Sequence, residues 1–219
     1  MDSVEHCVAY ANGHAKGEVP LDDISEVIKT DAFVWIALNE PSQELLKKVQ
    51  EEFSLHDLAI EDAFRAHQRP KIERYGDGLF IVLRTVQLPE GSNEIALGET
   101  HLFVGSKYVV SVRHGAGIPF QEVQKRCEAT PGLLQKGPGF VLYALIDFIV
   151  DQYFPVVDKL ENALEALEEQ IFKDSFDRAA TEQTRLDAYA DALRKQFTAL
   201  DTLMSQTQQQ SSYLSNFFK

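Results

Sequence analysis

The sequence predicts an α+β / α/β fold: a mixed β-sheet flanked by helices over residues 1–135, then a long antiparallel helical hairpin over residues 136–219. Three observations predict it. The apolar run 79–83 follows Gly76-Asp77-Gly78, residues that tolerate positive φ, and reads as a strand covered on both faces. Strand-like and helix-like runs mix before residue 130 in neither a strict βαβ repeat nor an all-β series. After Pro138 the apolar positions recur at spacings of three and four.

In order along the chain, residues 4–10 make a first strand, a polar loop runs through Gly17, and a short helix covers 21–28. Residues 33–38 are rich in strand formers, and Asn39-Glu40-Pro41 stops them. Ser42 caps a helix whose core stripe is Leu45, Leu46, Val49 and Phe53. Ser54, with Asp57 three residues on, reads as the capping-box start of the next helix, which would bury Leu58, Ala59, Ala63 and Phe64. Pro70 ends that helix. A basic corner and the 76–78 turn lead into the buried strand, and Gly105-Ser106 joins strands 95–104 and 107–113 as a hairpin.

Leu142, Ile146, Ile149, Tyr153, Val157, Leu160, Leu164, Leu167 and Ile171 then line one seam of a helix about 45 to 50 Å long. Pro155 lacks a backbone donor and should kink this rod one turn earlier without breaking it. Lys173-Asp174-Ser175 is the expected reversal, and Leu186, Ala190, Leu193, Phe197, Leu200 and Met204 form the returning seam. The polar tail ends in Tyr213, Leu214, Phe217 and Phe218, which either pack on the hairpin or lead into a further segment.

A net charge of −13 argues against a general affinity for nucleic acid and favours cations or basic partners. Cys7 and Cys127 form no Cys-x-x-Cys pair or disulfide framework. The N-terminus lacks the pattern of a signal peptide, and the longest apolar run, 140–150, falls short of the roughly 20 residues of a membrane span. No phosphate loop, nucleophile elbow or His-Glu-x-x-His motif occurs, so an enzyme is not expected. The six histidines show no ligand spacing and read as surface residues.

Carboxylates carry the remaining signal. Glu61 reads as the exposed partner of Arg65 at i, i+4. Asp62 falls at the edge of the same helix's buried side, where a charge needs a partner or a metal. Asp147 interrupts an apolar run, and Asp151 follows one turn later, so the two repel unless a cation or basic side chain intervenes. A basic partner from another element is the simpler reading of this pair, more so for Asp151 than for Asp147.

EDAF (61–64), HQRPKIE (67–73) and GLFIVLRT (78–85), in this order, closely resemble the cytosolic domain of CorA-type magnesium/cobalt transporters, within a CorA/ZntB-like superfamily. WIALNEP (35–41), residues 103–114 and residues 140–172 extend the resemblance; the family's Gly-Met-Asn pore motif does not occur. The resemblance implies a metal-sensing regulatory domain of a divalent-cation transporter taking up Mg²⁺, and also Co²⁺, at the cytoplasmic face of the inner membrane. It implies a homopentamer with intracellular Mg²⁺ bound at subunit interfaces and favouring the closed state. The membrane is then reached through a segment beyond this chain. Matched to these motifs, Asp62 is the leading ligand, with Glu61, Asp147 and Asp151 as neighbours. The alternatives are a ZntB-like zinc transporter domain, with Zn²⁺ as its ion, or a free-standing helical interaction module.

Overall fold

Alternation along the fifth strand divides the molecule into two layers. Leu79, Ile81 and Leu83 enter one apolar cluster, while Phe80 and Val82 enter the other. A computed structural model describes residues 3–89, 94–117, 119–174 and 182–217. The elements are β1 (Val4–Ala11), β2 (His14–Glu18), a 3-10 turn (Leu21–Asp23), α1 (Ile24–Val27), β3 (Phe33–Asn39), α2 (Gln43–Phe53) and α3 (Asp57–Arg65). There follow β4 (Lys71–Tyr75), β5 (Gly78–Gln87), β6 (Ala96–Val104), β7 (Tyr108–Gly115), α4 (Gln121–Glu128) and α5 (Pro131–Leu134). Finally come α6 (Pro138–Asp151), α7 (Tyr153–Asp174) and α8 (Glu182–Phe217).

The strands form one seven-stranded sheet in the order β2-β1-β3-β7-β6-β5-β4. Among the described residues only β3 and β7 pair in parallel, which makes the sheet mixed, as expected. The first layer is capped by α1, α2 and α3, with Ile24, Leu46, Val49, Phe53, Ala59 and Ala63 packed on Val34, Ile36, Val82 and Val110. The second is capped by α4, α5, α6 and the start of α7. Val123, Leu134, Val141, Leu145, Ile149 and Tyr153 there meet Trp35, Ile81, Leu83 and Leu102. Trp35 is wholly buried at its centre. The Tyr153 hydroxyl donates to the Arg84 carbonyl at 2.8 Å, fastening the head of α7 to β5.

The apolar core does not stop at residue 135, because α6 supplies six buried residues to it. The helical run Pro138–Ile171 is long and apolar enough, by length and composition alone, to cross a membrane. In this fold its apolar first half covers the sheet. A one-residue discontinuity at Gln152 separates α6 from α7, three residues before Pro155, where the kink was expected. On α8, Leu186, Ala190, Leu193, Phe197, Leu200 and Met204 are half-buried, so the returning seam falls at its expected positions. Lys173 and Asp174 end α7, while Ser175 lies outside the described residues. Residues 205–217 continue α8 as helix; the side chains of Tyr213, Leu214 and Phe217, and all of Phe218, lie outside the described part.

Four local expectations change. The stretch expected as a loop through Gly17 holds strand β2, fully exposed and therefore without the apolar alternation that marks a strand. The basic corner continues into the edge strand β4. Ser54 does not start α3; at φ 53° it is the left-handed cap that ends α2. On α3 the buried residues are Ala59 and Ala63, whereas Leu58 and Phe64 point outward, 57% and 45% exposed. The helix rests on its small side chains, which bring it close to the sheet.

Candidate functional site

The α3 helix starts at His56, whose extended backbone and ring Nδ1, accepting from the Leu58 amide at 3.3 Å, replace the expected serine cap. The ring stacks on Tyr75 of β4 at 4.3 Å. Glu61 pairs with Arg65 at 2.7 Å on the exposed side, as its spacing predicts. Asp62 is half-buried and meets Lys71 Nζ of β4 at 2.6 Å; the same ammonium lies 2.8 Å from Glu73. Burial opposes the Lys71 charge, but the bonds to Asp62 and Glu73 outweigh it and raise Lys71 above its ordinary pKa.

Asp147 lies across the sheet, paired with Arg126 of α4 at 2.7 Å and approached by the Tyr143 hydroxyl at 3.4 Å. The basic partner therefore goes to Asp147, and not preferentially to Asp151, which is exposed at the end of α6. Within one chain α3 and α6 cover opposite faces, so Glu61 and Asp62 are not brought together with Asp147 and Asp151. Among the described residues no group of three His, Cys, Asp or Glu side chains converges to hold a metal. Carboxylate oxygens suit Mg²⁺, which is commonly held by one or two of them plus water. One copy of the chain does not assemble the four into a site.

A buried polar cluster sits under the C-terminal end of α3. Glu99 of β6 is paired in register with Arg84 of β5 and His114 of β7. Its Oε2 accepts from the Gln68 amide at 3.1 Å and lies 3.6 Å from Arg84 Nη1. Its Oε1 approaches Nε2 of the fully buried His101 at 3.2 Å, out of hydrogen-bond alignment. Burial opposes ionisation of Glu99, but His101, a backbone N–H of the 67–68 segment and Arg84 together hold its carboxyl below the usual range. Burial, only partly offset by Glu99, lowers His101.

His114 bridges two elements, with Nδ1 3.0 Å from Glu40 Oε2 and Nε2 2.8 Å from the Ala63 carbonyl oxygen. Glu40 Oε1 also accepts from the Gly115 amide at 2.7 Å, which is the chief cause of the lowered Glu40 pKa. The histidines are thus not uniformly surface residues. His6, with both ring nitrogens buried, packs edge-on against Trp35 at 4.7 Å. Spacing along the chain hides this cluster. The available signal was Glu99 and His101 at i, i+2 with Phe103, a charged pair on an otherwise core-facing strand side.

A mixed sheet with helices on both faces and a projecting helical pair is also the fold of two solved proteins. The full-length CmaX protein superposes with a TM-score of 0.64 at 16% identity, covering 100% of this chain and 77% of that one. The soluble domain of CorA from Methanocaldococcus jannaschii gives 0.56 at 14% identity, covering 99% and 96%. The chain belongs to the CorA-like Mg²⁺ transporter protein family, whose family model matches residues 30–217. YfjQ of Bacillus subtilis is 34% identical over 138 residues, 63% of this chain and 42% of that protein. The cobalt/magnesium transport protein CorA of Thermotoga maritima is 30% identical over 131 residues, 59% and 37% of the two chains. The zinc transport protein ZntB of Photorhabdus laumondii is 30% identical over 105 residues, 48% and 32%. The aligned stretch spans about two-fifths of the first two relatives.

Proposed function

We propose that the chain is the cytoplasmic, metal-sensing part of a homopentameric divalent-cation transporter that takes up Mg²⁺ and Co²⁺. Its place is the cytoplasmic face of the inner membrane, reached through a segment beyond these residues; the boundary at residue 135 expected from the sequence moves C-terminal of α6, which belongs to the sheet core. Intracellular Mg²⁺ binds between subunits at Asp62, with Glu61, Asp147 and Asp151 as neighbours, and favours the closed state. The observation that carries this reading is the placement of these carboxylates on helices covering opposite faces of one sheet. Only a second copy can set α3 of one subunit against α6 of the next. Leu58 and Phe64 on the outer side of α3, and Tyr143 on that of α6, are exposed and free to pack in such a contact. Each copy carries a net charge of −13, so a cation between subunits relieves repulsion in the ring.

The test is a Mg²⁺ titration of the full-length protein followed by thermal stability and limited proteolysis. Mg²⁺ at millimolar concentration should raise the melting temperature and slow cleavage, and Asp62→Ala should need more metal for the same effect. Indifference of both readouts in wild type would end the proposal. The ZntB relative supports a second reading with Zn²⁺ as the cation, favoured if Zn²⁺ protects at concentrations where Mg²⁺ does not.

A further inference from the structure

The apolar layer beneath the first turn of α3 is unfilled at one end. Between the α2–α3 corner and the β4–β5 turn lies a cavity of about 210 Å³, lined by Phe80 and Phe103 of the sheet, Ala59 of α3 and the rings of His56, Tyr75 and Tyr108. Ala59 contributes only a methyl group, so the helix leaves the space open.

Small-molecule pockets are mainly apolar with a few convergent polar groups. Here those groups are donors. The Tyr108 hydroxyl has no hydrogen-bond partner among the described residues, and burial raises its pKa, so it remains a neutral phenol able to donate. Its ring is held in place by Gly105, where a Cβ would come within 2.5 Å of the ring edge, and by Phe53 at 5.0 Å. His56 Nδ1 accepts from the Leu58 amide, so the ring hydrogen sits on Nε2, a second donor. The Tyr75 ring that stacks on His56 has its own hydroxyl taken by Glu73 at 2.8 Å. Among the described residues no carboxylate, ammonium or guanidinium lines the cavity, so an ionic ligand finds no counter-charge in it.

We propose that this cavity binds a neutral, flat nitrogen heteroaromatic, a purine base, held among aromatic side chains and read by donors from Tyr108 and His56. An apolar cavity of about 150 Å³ admits a benzene ring, and about 210 Å³ leaves room for two fused rings. Stacking on aromatic side chains tolerates any base, so discrimination falls to the donors, which match the acceptor nitrogens of a purine ring. None of Glu61, Asp62, Asp147 and Asp151 lines the cavity, and the proposal does not rest on metal binding. The two places nevertheless adjoin. The Phe80 ring lies 5.5 Å from Lys71 Nζ, the partner of Asp62, and His56 caps the helix that carries Asp62. An occupant would brace that helix.

The experiment titrates adenine, adenosine and AMP into the whole chain with a chelator present and follows amide shifts by NMR. Indole, a flat bicycle without an acceptor ring nitrogen, is the comparison. Adenine and adenosine should shift the Ser54, His56 and Gly76 amides and bind about tenfold more tightly than indole, the worth of roughly one hydrogen bond. Tyr108→Phe keeps the ring and should weaken adenine about tenfold while leaving indole unchanged. Gly78→Val, at a position whose Cβ would lie 3.2 Å from the Tyr108 hydroxyl, should abolish binding of both. AMP binding at least as tightly as adenosine supports a nucleotide as the source of the base, and weaker AMP supports a free base or nucleoside. Unmoved amides with adenine and adenosine at millimolar concentration, indole binding as tightly as adenine, or full adenine affinity in Tyr108→Phe overturns the proposal. If Gly78→Val fails to fold, Tyr108→Phe decides.

Discussion

The Lys71 ammonium lies 2.6 Å from the Asp62 carboxylate and holds the leading metal-ligand candidate in an ion pair. A divalent cation bound at Asp62, as proposed, would compete with that ammonium, which can stay on Glu73 at 2.8 Å. Lys71→Met should therefore lower the Mg²⁺ concentration needed for stabilisation, while costing the metal-free protein about 1 kcal/mol for a half-exposed pair. Calorimetric titration beside wild type checks this, and an unchanged or higher midpoint would refute it.

Stability should fall on mild acidification. Burial pushes His6 down to about 4, against the opposing Glu128 carboxylate, and also lowers His101. Both stay neutral in the fold, while the unfolded chain takes up protons below about pH 6.5. For His6 the loss runs from about pH 6.5 to its folded value, at up to about 1.4 kcal/mol per pH unit for one proton. Glu40 and Glu99, lowered in the fold, then add loss as pH falls through the carboxylate range. Urea unfolding across pH should show this slope, and His6→Gln should reduce it.

Gly98 of β6 pairs with Gly115 of β7, and a side chain there would overlap the Ala116 carbonyl oxygen and lie 2.6 Å from that of His114. Gly98→Ala should cost about 3 kcal/mol, because the obstacle is backbone and cannot rotate away. Denaturant midpoints test it; a loss below about 0.5 kcal/mol, typical of a neutral surface change, would show that the strand pair yields.

Tyr153→Phe removes the hydroxyl that holds the head of α7 on β5 and leaves the Arg84 carbonyl without that donor. The expected loss is about 1 to 2 kcal/mol. Proteolysis near the α6–α7 joint should accelerate with it, and a variant as stable and resistant as wild type would remove the anchoring role.

What the sequence made legible was whatever burial prints as a period. Residues 79–83, 33–38 and both hairpin seams read correctly because apolar side chains recur where a face is covered. β2 left no such print, its five residues all being exposed. Ser54 misled because a hydroxyl beside a carboxylate resembles a start signal, while the left-handed backbone that ends α2 is invisible in composition. Lys71 as partner of Asp62 needed the return of β4 beneath α3, and the Glu99–His114 pairing needed the β6–β7 register. The EDAF and HQRPKIE motifs were legible by resemblance, but which of their side chains were already engaged was not.

The parallel pairing of β3 with β7 sets the order in which the chain can complete itself. The Ser111 hydroxyl donates to the Ile36 carbonyl across that pair at a separation of 75 residues. Strands β4 to β7 can zip together as successive antiparallel neighbours, but β1 to β3 find their inner edge only after β7 has been made. On the ribosome the first three strands therefore wait, exposing the β3 edge, and closure of this long loop is the natural slow step of folding.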